Sequence, residues 1–153
     1  MIQKSKAFLF LFIGAITAQD DQIFIRNLIL EGNENVSRNE ILFIVRQRPP
    51  NFFFRRPDFD PRLLRLDALT LKNYYYSKGF LDVTIKESYT IEDADNENKY
   101  TDILYEINEG NQYFIRNISW EGNVMKSDSV LNKISGIKKG TLFNKKDFDS
   151  FMS

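Results

Sequence analysis

Phe24-Ile25-Arg26-Asn27-Leu28-Ile29-Leu30-Glu31-Gly32-Asn33 decides how this chain is read, because it is written twice. The second version is Phe114-Ile115-Arg116-Asn117-Ile118-Ser119-Trp120-Glu121-Gly122-Asn123, identical over its first four and last three residues. The same offset places Ser37 on Ser127, Ile41 on Leu131 and Ile44 on Ile134. With one residue deleted, Asp58-Phe59-Asp60 falls on Asp147-Phe148-Asp149. Identity spread over several elements with one small deletion marks a repeated domain. The substitutions also describe the local fold. Leu28 and Leu30 stay apolar as Ile118 and Trp120, whereas Ile29 becomes Ser119. This period-two tolerance predicts a strand with one buried face. Gly32-Asn33, and Gly122-Asn123 in the copy, accept positive φ, end the strand and turn the chain.

Working outward, Ser37-Arg38-Asn39-Glu40 is a capping box ahead of apolar residues. Ile41, Ile44 and Val45 then share a helical face, and Pro49-Pro50 is expected to end that helix. A loop follows with Phe52-Phe53-Phe54, read as a plug between helices. Asp60-Pro61 opens a second helix as N-cap and first helical residue, and Gly79 supplies the left-handed residue that ends it after Lys78. Leu64, Ala68, Leu71 and Tyr75 form its core stripe. From Phe80 the period becomes two. Leu81, Val83, Ile85, Tyr89 and Ile91 predict a strand over 81–91 with one buried face, and Thr101, Ile103, Tyr105 and Ile107 predict the returning strand. Between them lies the polar run Asp93 to Asn98.

The resulting order is β-α-α-β-β: an α+β domain over residues 22–110, with two helices on a three-stranded mixed sheet. The two-helix connection lets the returning strand lie centrally, parallel to the first, with the 81–91 strand at an edge. The second copy is expected over 111–153: a strand, a helix from near Ser127, and a second helix capped by Asp149. Without the hairpin this copy is expected to be an incomplete domain, and the chain the front end of a longer protein.

Twenty-one basic residues balance twenty-one acidic ones, which disfavours a nucleic-acid partner. The absence of cysteine and histidine removes disulfides, thiolates, imidazole bases and most zinc sites. Asp58 and Asp60 recur as Asp147 and Asp149, which suits loop and cap roles better than catalysis. Asp93, Asp95 and Glu97 begin like a calcium loop, but Asn98 and Leu104 stand where its glycine and closing acid belong. No glycine-rich phosphate loop is present, so neither an enzyme, a metal site nor a cofactor is expected. Lys4 and Lys6, the apolar run Ala7–Ile16 and the small Ala18 before Gln19 predict a secretory signal peptide over residues 1–18.

These residues resemble the POTRA domains of the BamA-type outer-membrane protein assembly factors. The resemblance rests on the strand ending Glu31-Gly32-Asn33, the Leu71…Tyr75…Gly79-Phe80 helix end, Asp82-Val83, and Ile107-Asn108-Glu109-Gly110. It implies periplasmic domains in tandem, leading to a carboxy-terminal transmembrane β-barrel that is missing from these residues. It also implies partners: unfolded outer-membrane proteins as clients, and accessory assembly lipoproteins. In the family the second strand of the module can accept an added strand, which points to Leu81, Val83, Thr84, Ile85 and Lys86 as a client-binding edge. Related expectations within the superfamily are a polypeptide-secretion or autotransporter-assembly transporter and a division-type single-POTRA scaffold.

Overall fold

The computed structural model describes residues 22–51, 56–95 and 98–152. The apolar amino-terminal segment, the Phe52–Phe54 run and Glu97 fall outside the described residues. The elements in chain order are β1 (Ile23–Glu31), α1 (Arg38–Ile44), α2 (Pro61–Ser77), β2 (Thr84–Asp95), β3 (Asn98–Asn108), α3 (Asp128–Ser135) and α4 (Lys145–Met152). The fold is α+β. The sheet order is β1-β3-β2, with β3 central, parallel to β1 and antiparallel to β2.

Alternation in β3 buries Thr101, Ile103, Tyr105 and Ile107 against the helices. They meet Ile25 and Leu28 of β1, Ile41 of α1, and Leu64, Leu71 and Tyr75 of α2 in one core. Ile25 and Leu28 are three residues apart, yet both face inward, opposite Thr101 and Ile103. An irregularity at Arg26 inserts one extra residue into β1 and resets the pleat.

Several boundaries differ from the sequence expectation, each for a tertiary reason. Helix α1 stops at Ile44 rather than running to Pro49. The Asp67 carboxylate on α2 accepts from the backbone N–H of Arg46 (2.9 Å) and Gln47 (2.8 Å), and this holds the chain out of the helix. Strand β2 starts at Thr84, not Leu81, and runs on to Asp95. Leu81 and Asp82 form a turn beyond Gly79, and the Val83 side chain drops into the core at 2% exposure. The hairpin is longer than its polar sequence suggests, because Asp93 sits opposite Lys99 and the pairing reaches Asp95 and Asn98.

The second copy departs most. Residues 114–120 are not a strand; they carry one isolated bridge, Phe114 to Leu142. A strand is stabilised by its ladder, and no strand among the described residues lies beside this one. Helix α4 begins at Lys145, with the Asn144 side chain accepting from the Lys146 N–H at 3.0 Å, so Asp149 lies inside the helix and pairs with Lys145 rather than capping it. In the first copy, Pro61 follows the capping Asp60 and disfavours helical backbone before it; Ser150 in the copy imposes no such limit.

Candidate functional site

With β3 in the centre, the sheet has two outer edges, and they differ. The outer edge of β1 is occupied: the Ile25 N–H donates to the Pro57 carbonyl (2.8 Å), the Phe59 N–H donates to the Ile23 carbonyl (2.8 Å), and the Arg38 guanidinium donates to the Leu28 carbonyl (2.9 Å). The outer edge of β2 has no such cover: among the described residues, Thr84–Asp95 make backbone–backbone hydrogen bonds only within the ladder to β3. Its outward N–H and C=O groups are open to an extended chain.

Side chains flank that edge in two rows. Thr84, Lys86, Ser88, Thr90 and Glu92 lie on the sheet face away from the helices. Ile85, Glu87, Tyr89 and Ile91 lie on the helix-bearing face, opposite Ile107, Tyr105, Ile103 and Thr101. Tyr89 packs against Phe59 in a tilted contact, with ring centroids 4.7 Å apart. Tyr89 and Ile91 nevertheless remain 42% and 45% exposed, which leaves an apolar margin beside the bare backbone. Charges on the far face are matched internally. Arg26 bonds Asp102 and Glu92, both at 2.7 Å, and Lys86 bonds Glu106 at 3.1 Å. Hydrogen bonding to Arg26 holds the Asp102 carboxyl below the usual carboxylate range, and Asp102 with Glu92 raises the guanidinium in turn. Arg26 and Lys86, the cations of this face, are thereby paired with acids of the sheet itself.

Of the residues expected at this edge, Thr84, Ile85 and Lys86 lie on β2, whereas Leu81 and Val83 precede it and Val83 is buried. Tyr89 and Ile91 belong to the exposed margin, although their alternation suggests a buried face. The remaining marked residues are structural. Gly32 and Gly122 have φ of 79° and 76°, and the Asn33 and Asn123 side chains donate to the carbonyls of Val36 and Lys126. Ser37 and Asp60 are the N-caps of α1 and α2, and Gly79 follows the C-cap Lys78 with φ 84°.

Two buried acids organise the frame that carries the edge. Asp67 is one. Glu109 is the other: it accepts from the backbone N–H of Asn35 and Val36, the Asn35 side chain at 2.7 Å and the Tyr75 hydroxyl at 2.9 Å. Burial, then the Glu109 carboxylate, raises the Tyr75 phenol above its ordinary range. Asp67 is visible in sequence only as a lone acid within the apolar stripe of α2. In the second copy, a groove of about 1020 Å³ lies among Ile118, Trp120, Ile134, Phe143, Phe148 and Phe151.

Sequence and structure comparisons bear on this arrangement. The family described as "POTRA: Surface antigen variable number repeat" matches residues 23–110 and again 113–153. No curated protein matches the chain. Among solved structures it is similar to Haemophilus influenzae BamA POTRA3-5, at 18% identity and a TM-score of 0.61 over 85% of this chain and 51% of that one. It also matches the N-terminal domain of Omp85 from Thermosynechococcus elongatus, at 15% identity and a TM-score of 0.46 over 85% of this chain and 48% of that one. A third match is POTRA1-2 of Omp85 from Anabaena, at 10% identity and a TM-score of 0.43 over 86% of this chain and 74% of that one. The chain spans about half the length of the first two. Of these likenesses the BamA one speaks for the fold, and for the fold alone.

Proposed function

The chain belongs to the POTRA family, and from that premise we propose that it is the periplasmic POTRA region of an outer-membrane protein assembly factor, binding unfolded outer-membrane β-barrel proteins along the outer edge of β2. The division that goes with this reading is a signal peptide over 1–18, one POTRA domain over 22–110 and part of a second over 111–153. Accessory assembly lipoproteins and a carboxy-terminal β-barrel of the same protein are its further partners.

One observation supports the reading: the β1 edge is closed by Pro57–Phe59 and Arg38, while among the described residues nothing covers the β2 edge. A client strand added there takes most of its affinity from main-chain hydrogen bonds, with loose side-chain demands. That suits a site serving many sequences. Tyr89, Ile91 and Ile85 would meet alternate client side chains on one face, and Thr84, Lys86 and Ser88 those on the other.

Proline substitution tests this directly. Adjacent strand residues point their N–H groups to opposite sides, so one of Lys86 and Glu87 donates outward. Proline is tolerated where the N–H faces solvent. Of Lys86→Pro and Glu87→Pro, one should keep the circular-dichroism spectrum of the parent yet lose photo-crosslinking to an unfolded outer-membrane barrel polypeptide. Normal crosslinking by that folded variant, or unfolding of both variants, would overturn the β2 edge as the client site.

A further inference from the structure

Asn111 and Gln112 are the whole connection between the two repeats, and a two-residue link in solvent would let them swing. Here the connection is pinned on both sides. Glu109, just before it, is locked into the first repeat by Asn35, Val36 and Tyr75. The Gln112 side chain donates to the Lys78 carbonyl at the end of α2 (3.0 Å), and its backbone bridges Phe80. The Tyr113 N–H donates to the Gly79 carbonyl (2.9 Å), and its hydroxyl donates to the Asp82 carboxylate (2.5 Å). The other side of the same residue belongs to the second repeat. The Tyr113 carbonyl accepts from the Phe143 N–H (2.9 Å), and the next bonds in line are Ile115 N–H to Thr141 carbonyl (2.9 Å) and Gly140 N–H to Ile115 carbonyl (2.7 Å). Gly79 allows the approach, since a Cβ there would lie 3.0 Å from the Tyr113 carbonyl oxygen and 3.4 Å from the Leu142 side chain.

We propose that Gly79, Asp82, Gln112 and Tyr113 form a rigid joint that holds the second repeat at one orientation to the β2 edge. Asp82 lies two residues before the start of β2, so the joint braces the turn from which the edge emerges. A client strand leaving that edge at Thr84 then meets the second repeat in one geometry rather than many. The inference rests on the two-repeat division proposed above, but its readout is a distance, independent of client binding.

The chain contains no cysteine, so engineered pairs label uniquely. Nitroxides at Asn73→Cys on α2 and Lys133→Cys on α3 should give a single narrow distance distribution by pulsed electron resonance. Adding Tyr113→Phe with Gln112→Ala should broaden it at least twofold, while a pair inside the second repeat, Lys133→Cys and Lys146→Cys, keeps its width. A broad distribution in the labelled parent, or no broadening in the double variant, would overturn the joint. Broadening of the internal pair as well would place the loosening inside the second repeat and equally overturn it.

Discussion

The two repeats open with the same words and end in different structures. Gly32 and Gly122 share their φ to within a few degrees, and both following asparagines close the same side-chain-to-backbone bond, at 2.9 and 2.7 Å. The likeness carries on to the helix start, where Ser37 and Ser127 are N-caps of nearly the same backbone conformation, but not to what packs around it. A Cβ on Gly32 would lie 2.0 Å from the Ile107 carbonyl oxygen, because β3 passes directly beneath it; at Gly122 nothing lies within 4 Å. Ile25 and Leu28 are buried beside β3 in the core with α1 and α2, whereas their counterparts Ile115 and Ile118 are half-exposed and α3 buries no residue. A turn is settled by its own few residues. A strand is settled by what lies next to it.

The largest expected contrast is in local opening. Amides of Leu71–Tyr75 and Ile103–Ile107 should exchange slower by orders of magnitude than those of Asp128–Ser135, since exchange free energies range from near zero at weakly packed elements up to the global value. Equal protection factors in the two sets would break the contrast.

Next in size is the glycine pair. Gly122→Ala should cost about 1–2 kcal/mol of local stability, the left-handed strain alone. Gly32→Ala adds a backbone collision, and about 1–3 kcal/mol of overpacking on top of that strain would shift the thermal midpoint of the first repeat by many degrees. Melting both variants side by side checks it; equal shifts would show that β3 does not press on the Gly32 turn.

The smallest effect concerns acid. Glu40 completes the α1 capping box and also binds the Tyr74 hydroxyl and Lys78, while the matching position in the second repeat is Val130 and Ser127 caps α3 without a side-chain bond. Hydrogen bonds from Tyr74 first, then Ser37, lower the Glu40 pKa from 4.5 to about 2. A carboxylate with a depressed folded pKa favours the fold while ionised, so this contribution is whole above about pH 4.5 and gone below about pH 2. The melting-temperature gap between the parent and Glu40→Gln should therefore shrink across that interval. A gap constant with pH would remove Glu40 from the acid response.

Much of this is legible in the amino-acid sequence. The repeat is plain in FIRN…EGN. The Ser37–Glu40 box, the Asp60-Pro61 start of α2 and its stop at Gly79 need only neighbours within about one helical turn. A two-helix connection followed by a hairpin allows the central place of β3, and the structure is what settles it. What sequence alone determined was therefore local or topological: where the chain turns, which stripe of α2 faces inward, and the order β-α-α-β-β. The tertiary structure decided the rest. It decided that Asp67 ends α1, that Val83 belongs to the core rather than the edge, and that Arg26 bulges out of β1. It decided that Pro57–Phe59 closes the β1 edge, while among the described residues nothing closes the β2 edge. It also decided that Phe114–Trp120 is not a strand although Phe24–Leu30 is. Each of these depends on a partner tens of residues away, and hydrogen bonds of that reach leave no periodic mark on the residues that make them.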